Sequence, residues 1–430
     1  MSGFVKNVRK TFAIMGGLAS VAASPALADH VHLNPVRASD ALASFGLNTH
    51  INYQDSAYAQ FGRVKDALQY VGITHLRELA PMPWFSGAAP IGYYSELMRQ
   101  GYDIDFVVPG GKVDLQKSFA PIFDLSKDST TRISAIEGFN EVDHAPVTFD
   151  GLSGNDAAIK GQKAIYALVH GDSRLKNVSV IDVTGVSAEP TVLDGRADLG
   201  NAHIYPQNGF PPDGWFRGMQ GLAQKVHVPM AVTEFGYASL PQSGWLVIGV
   251  DEAGQAKGVL AGLLSGLETG FSRTYVYELL DERPDSAVPD RENHFGLFDN
   301  QFRKKPAAIA IHNVTQLLRD SDATVDRKPV QPLDLDVSGL PKTGHIVAIE
   351  KADGSIWLAV WNEAPFWDNQ RGAPIADQPV SVTISPPKLT KSSAIYAPLN
   401  VEPLVKRVDG GGPVTFDVSN APVLVEFQPR

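Results

Sequence analysis

From about residue 43 onward the chain alternates short apolar runs with amphipathic stretches, and no other feature limits its fold as strongly. An apolar run followed by a helix-period stretch, repeated, is the βαβ pattern, which calls for a parallel sheet covered by helices. Eight runs qualify as strands: 43–53, 72–78, 103–108, 135–141, 178–184, 199–206, 228–237 and 273–282. Eight is the number that closes a barrel, so the predicted fold class is α/β, a (β/α)₈ TIM barrel over residues 43–320. The first helix shows the pattern: Tyr58, Phe61, Val64, Leu68 and Val71 recur at three- and four-residue steps, and Gly72 stops it. Similar periodicity occupies 157–169 and 256–267, and a last helix runs from Lys305-Pro306 to about Leu318.

Beyond Asp320 the texture changes to alternating strands and turns. Residues 345–349 and 356–361 flank Ala352-Asp-Gly-Ser355 as a hairpin, and 379–384, 393–396, 414–418 and 423–427 continue the series. The expectation for 321–430 is a C-terminal antiparallel β-sandwich, with the segment 29–42 as a candidate for an added strand.

Residues 1–28 read as an export signal: Lys6, Arg9 and Lys10 charge the start, 12–23 is small and apolar, and Ala26-Leu-Ala28 fits a cleavage site. The apolar run is too short to span a bilayer, so the expected mature protein begins near Asp29, is periplasmic or secreted, and has no stable membrane insertion. Losing three of 37 basic residues and none of 47 acidic ones takes the formal charge from −10 to −13. Such a surface argues against nucleic acid as a partner. The chain has no cysteine, which excludes disulfides, thiol catalysis and thiolate metal sites.

The loops after the C-terminal strand ends form the working face of such a barrel. Two apolar runs deliver a glutamate there: Ala135-Ile-Glu-Gly-Phe-Asn-Glu141 in strand four and Val228-Pro-Met-Ala-Val-Thr-Glu-Phe-Gly236 in strand seven. Around Glu141 and Glu234 the rim offers His50 and Asn52 (strand one), Arg77 (two), Asn140 (four), His203 and Tyr205 (six), and Tyr277 and Glu278 (eight). Trp84, Trp215 and Trp245 fall in the expected loops after strands two, six and seven, where flat rings can stack on sugar faces. Two carboxylates with stacking surfaces, and no phosphate or metal motif, are the kit for glycoside hydrolysis. A gap of about 5–5.5 Å between them means retention, and a wider one inversion.

The Asn140-Glu141 pair, Thr233-Glu-Phe-Gly236, Leu76-Arg77 and His203-Ile-Tyr205, in that strand order, resemble the retaining TIM-barrel glycoside hydrolases of clan A, similar to families five, thirty and thirty-nine. The closing stretch Phe295-Gly-Leu-Phe-Asp299 fits the same resemblance. It implies Glu141 as acid/base, Glu234 as nucleophile, Asn140 as partner of the sugar 2-hydroxyl, and Arg77 and Tyr205 holding Glu234. It also implies a glycan substrate, a β-type linkage and no cofactor. An acid in that role is expected to be kept protonated by burial and by its charged neighbour. The chain departs from the clan at strand eight, Arg273-Thr-Tyr-Val-Tyr-Glu-Leu-Leu-Asp-Glu282, where a tryptophan is usual; either Tyr277 substitutes or the subsite floor differs. Two other outcomes stay open: glycosyl transfer in exopolysaccharide remodelling, and a barrel that only binds a glycan.

Plainer readings fit the remaining features. Glu137 lies deeper in strand four and suits a buried polar network. Asn362-Glu363 is a turn of the sandwich. His50, His144 and His203 share no chelating spacing, so a catalytic metal is not expected. Gly110-Gly-Lys112 lacks the Walker spacing, Gly185-Val-Ser-Ala-Glu189 lacks the second glycine of a nucleophile elbow, and no dinucleotide fingerprint follows the first strand.

Overall fold

The computed structural model describes residues 28–128, 130–185, 195–206, 209–241, 249–320, 329–387 and 389–430. Eight parallel strands form the centre: β1 (Phe45–Asn48), β2 (His75–Leu79), β3 (Asp103–Val107), β4 (Ile133–Glu137), β5 (Ser179–Ile181), β6 (Gly200–Ile204), β7 (Met230–Phe235) and β8 (Thr274–Val276). Each pairs with the next, β8 pairs with β1, and a bridge between Ile181 and Leu199 joins β5 to β6, which closes the barrel. The strands are shorter than the apolar runs that announce them, because each run continues into the turn at the barrel mouth. Close packing inside the barrel needs small residues as well as large ones: a Cβ on Gly46 of β1 would lie 2.3 Å from the ring of Tyr275 in β8.

The helices form where the apolar period predicts them. Phe61–Val71 buries Phe61, Val64, Leu68 and Val71 and ends at Gly72, whose φ of +79° is the left-handed conformation that glycine adopts without strain. Gly154–Gly171, Glu252–Thr269 and Pro306–Leu318 match the other expected helices, each a few residues longer or shorter than its periodic stretch.

The C-terminal region is a two-sheet sandwich. One sheet orders Asp29–Leu33, Leu333–Ser338, Val380–Ile384 and Val414–Val418. The other orders Val36–Arg37, Gly344–Glu350, Ile356–Asn362, Val423–Pro429, Thr390–Tyr396 and Leu404–Asp409. The N-terminal strand thus pairs with the sandwich, with Asp29 opposite Val337. Ile356–Asn362 is buried on both faces, since alternate residues serve different cores. Trp357, Ala359 and Trp361 pack with the barrel's hydrophobic core, while Leu358 and Val360 fill the space between the sheets. Each fully buried aliphatic side chain of this kind contributes roughly 1.5–3 kcal/mol. Polar contacts reinforce the junction: His345 stacks on Trp361 at 4.8 Å and meets Glu268 of the barrel at 2.9 Å, and Asn313 Nδ2 donates to the carbonyls of Pro398 and Asn400 at 2.8 Å. No described helix is long and apolar enough to cross a membrane.

Candidate active site

Strand register sets the site. Asn48 lies opposite Arg77 across β1 and β2, and His203 lies opposite Glu234 across β6 and β7, so all four side chains sit at one level near the barrel mouth. A cavity of about 790 Å³ opens above them, within the roughly 300–1,000 Å³ usual for small-ligand sites. Arg77, Asn140, Glu141, Tyr205, Glu234 and Tyr277 line it.

Arg77 is the hub. Its Nε and Nη2 donate to the two oxygens of Glu137 at 2.7 Å each, and Nη2 also donates to Asn140 Oδ1 at 2.7 Å. Nη1 donates to Asn48 Oδ1 at 2.9 Å and to Glu234 Oε1 at 2.7 Å. A guanidinium has five N–H donors, and here all five are matched. Glu137 is therefore the fully buried network member its depth in the strand suggested.

Glu234 is 6% exposed and accepts from Arg77 on one oxygen and from the Tyr205 hydroxyl at 2.5 Å on the other. Burial alone would raise its carboxyl; charge at His203 and Arg77, with the bonds from Tyr205 and Arg77, outweighs burial and holds it down at about 2. The group is a carboxylate at any ordinary pH.

Glu141 differs from the expectation in two respects. β4 ends at Glu137, so Asn140 and Glu141 lie in the following loop rather than at a strand end. Glu141 takes a left-handed φ of +42°, held by its N–H bond to Thr184 Oγ1 at 2.9 Å. A non-glycine residue in that region stores strain, which a structure retains where a side chain must be aimed. The second difference is electrostatic. The bond between His203 Nδ1 and Glu141 Oε1, at 2.8 Å, lowers the Glu141 carboxyl below its usual value, against burial and the Glu234 charge that raise it.

The neighbours of His203 show what that bond means. Asn201 Nδ2 donates to Glu137 Oε1 and to the Asp182 carbonyl, which leaves Oδ1 as the acceptor for the Thr233 hydroxyl at 2.7 Å. With its proton committed, Thr233 Oγ1 can only accept from His203 Nε2, 3.1 Å away. The contact between Nδ1 and Glu141 therefore holds one proton shared by acid and imidazole, rather than a proton kept on Glu141 by burial. One carboxylate oxygen of Glu141 lies within 4.8 Å of one of Glu234, with His203 Nδ1 beside both.

Other sequence candidates are distributed unevenly. His50 and Tyr277 border the cavity, whereas Asn52 does not: its Nδ2 donates to the carbonyls of Leu79 and Ala80. His203 stands behind the carboxylates. Trp84, 37% exposed and 4.8 Å from Lys117 Nζ, and Trp215, 47% exposed, are not in the cavity wall. Trp215 belongs to the helix Asp213–Val226 and not to a loop, because Pro212 already starts that helix. Trp245 lies outside the described residues.

Sequence reasoning missed Asn48, Thr233, Asn201, Glu78, Tyr53, Arg291 and Glu292. Strand alternation could have found two of them, since Asn48 precedes His50 by two and Asn201 precedes His203 by two. Glu78 accepts from Thr49 Oγ1 and the Ile51 N–H at 2.8 Å, and burial pushes its carboxyl up to about 8. Burial lowers His50 to about 4.

Comparison with known proteins adds the architecture's relatives. A family 39 glycoside hydrolase from the gut symbiont Bacteroides cellulosilyticus WH2 superposes with a TM-score of 0.59 at 14% identity, over 90% of this chain and 82% of its own. A monomeric beta-xylosidase from Caulobacter crescentus CB15 gives 0.55 at 13%, over 93% and 98%. The GH39 enzyme from Xanthomonas axonopodis pv. citri gives 0.54 at 13%, over 96% and 100%. The chain has the fold of these glycoside hydrolases. No family model and no curated protein matches its sequence.

Proposed function

We propose that the protein is an exported glycosidase that cleaves a β-linked glycan with retention of configuration. The observation that carries this reading is the pair Glu141 and Glu234, oxygens within 4.8 Å across one cavity, one of them held ionised by Arg77 and Tyr205. That spacing falls with the roughly 5–5.5 Å of retaining enzymes and well below the roughly 6.5–9.5 Å that inverting enzymes use to seat an attacking water.

Glu234 attacks the anomeric carbon as the bond to the leaving oxygen breaks, and the proton held between Glu141 and His203 passes to that oxygen. Water then adds to the same carbon, returns a proton to Glu141 and frees Glu234. Arg77 fixes the Asn140 amide through Oδ1, which leaves Nδ2 as a donor for a sugar hydroxyl. Tyr277 and Phe295 supply aromatic wall to the cavity. The fold it shares with family 39 enzymes supports the reading, and the leader-like start supports export to the periplasm or beyond.

The test is a panel of aryl β-glycosides and β-linked oligosaccharides, with products read by mass. Hydrolysis of at least one substrate is expected, with Glu141→Ala slowing unactivated leaving groups about 10²-fold or more and azide restoring turnover of activated ones. A protein that binds glycans, cleaves none of the panel and binds equally well as Glu141→Gln is a binding barrel instead.

A further inference from the structure

We propose that His50, Glu278 and Glu282 bind one divalent cation of the zinc or manganese type, at a site beside the catalytic carboxylates and distinct from them. His50 comes from the turn after β1, and the two glutamates from the segment after β8. His50 Nε2 lies 3.3 Å from Glu278 Oε2 and 3.9 Å from Glu282 Oε1, and one donor atom from each residue falls within 4.8 Å of the others. Three donors at the corners of a tetrahedron with bonds of about 2.1 Å stand about 3.4 Å apart. The observed separations surround a space of that size.

The second observation is an unmet need. Glu278 is fully buried, and among the described residues neither of its oxygens has a hydrogen-bond partner, nor has His50 Nε2. The nearby cations leave Glu278, His50 Nε2 and Glu282 Oε1 unserved. Arg283 donates to Glu282 Oε2 and Asp55, and Lys305 Nζ is held by Asp281 and Ser239. The imidazole is kept in place by its stack on Tyr53 at 4.7 Å and its edge contact with Tyr277 at 5.5 Å. Burying a carboxylate without a partner is expensive, and a coordinating cation answers that cost directly.

The donor set selects the ion. One imidazole nitrogen with two carboxylates suits zinc or manganese better than calcium or magnesium, which take oxygen donors. The comparable set Glu141, His203 and Glu234 has no such need, because Arg77, Tyr205 and Thr233 already serve its members. An ion on His50 and the two glutamates ties the turn after β1 to the segment that carries Arg291, Glu292 and Phe295 to the cavity wall. Its role is to position that wall.

The test uses the full chain carrying His32→Ala, which weakens the exposed His30 and His32 pair facing Asp334 and Asp336 as a competing site. After dialysis against a chelator, the protein is titrated with Zn²⁺ and separately with Mn²⁺, following bound metal and Tm. One equivalent is expected, with a rise of roughly 4 °C at a hundredfold excess over Kd. Glu278→Gln should take up less than a tenth as much and show no rise, and Glu282→Gln serves if that variant does not fold. No uptake of either ion overturns the proposal and leaves a proton on Glu278 as the answer to its burial. Equal uptake and equal rise in both variants overturns it as well.

Discussion

Around Arg77 every donor meets an oxygen, whereas none of the described residues donates to Glu278. Both groups are buried at the same barrel mouth. On the Arg77 side one guanidinium orients two carboxylates and two amides or carbonyl-type acceptors, so Glu234 stays ionised at about 2 although it is enclosed. On the His50 side burial pushes Glu278 well above the ordinary carboxylate range, with Glu282 and Asp281 adding to it. The difference teaches that depth alone does not decide a carboxylate's charge here; the presence of a committed cation does.

The largest expected effect comes from removing that cation. Arg77→Met strands Glu137 and Glu234, and denaturant unfolding should show a loss of about 3–5 kcal/mol together with collapse of activity. Glu278→Gln, measured in chelator, should change stability by less than about 1 kcal/mol, because it takes away a carboxyl that has no partner to lose. Equal losses in the two variants would erase the contrast.

The contrast also has a pH form. Glu234 is depressed from its ordinary value, so its contribution to stability is present above about 4.5 and is lost as pH falls through about 2. Glu78 is raised, so its contribution is present below about 4.5 and is lost as pH rises through about 8. Glu78→Gln should therefore flatten the fall in unfolding free energy between pH 5 and 8 by on the order of 2 kcal/mol. A smaller effect than that of Glu78→Gln is expected at Thr233→Val, which frees the His203 tautomer: about a tenfold loss of kcat with a shifted acid limb of the pH–rate profile. A tenfold loss with the limb unmoved would make Thr233 a packing residue only.

The barrel was legible because each strand is a short apolar run bounded by a helix of clear period, as in Phe61–Val71 with its terminal Gly72. Glu234 and Arg77 were legible for the same reason, since both sit inside strands that set their register. Glu141 was found by its neighbour Asn140, yet its left-handed turn was not, because an acidic side chain gives no signal for positive φ. Arg291 and Glu292 reach the cavity from a single 3₁₀ turn, Arg291–His294, within the long connection after β8, too short for periodicity to announce. The strand Leu404–Asp409 escaped because it is largely solvent-facing and lacks the apolar alternation of the other sandwich strands, whereas Leu333–Ser338 was overlooked although Leu333, Leu335 and Val337 alternate with polar residues and Leu335 and Val337 are buried. The shared proton at His203 depends on Asn201, Thr233 and Glu137 meeting in space, a relation that no spacing in the chain encodes.

The central claim is that Glu234 becomes covalently bonded to the sugar, and trapping tests it most directly. A 2-deoxy-2-fluoro glycoside of a turned-over β-sugar should inactivate the protein, raise its intact mass by one glycosyl unit and leave that unit on the peptide carrying Glu234. An adduct on any other residue, or steady turnover to the inverted sugar with no adduct, would contradict the account.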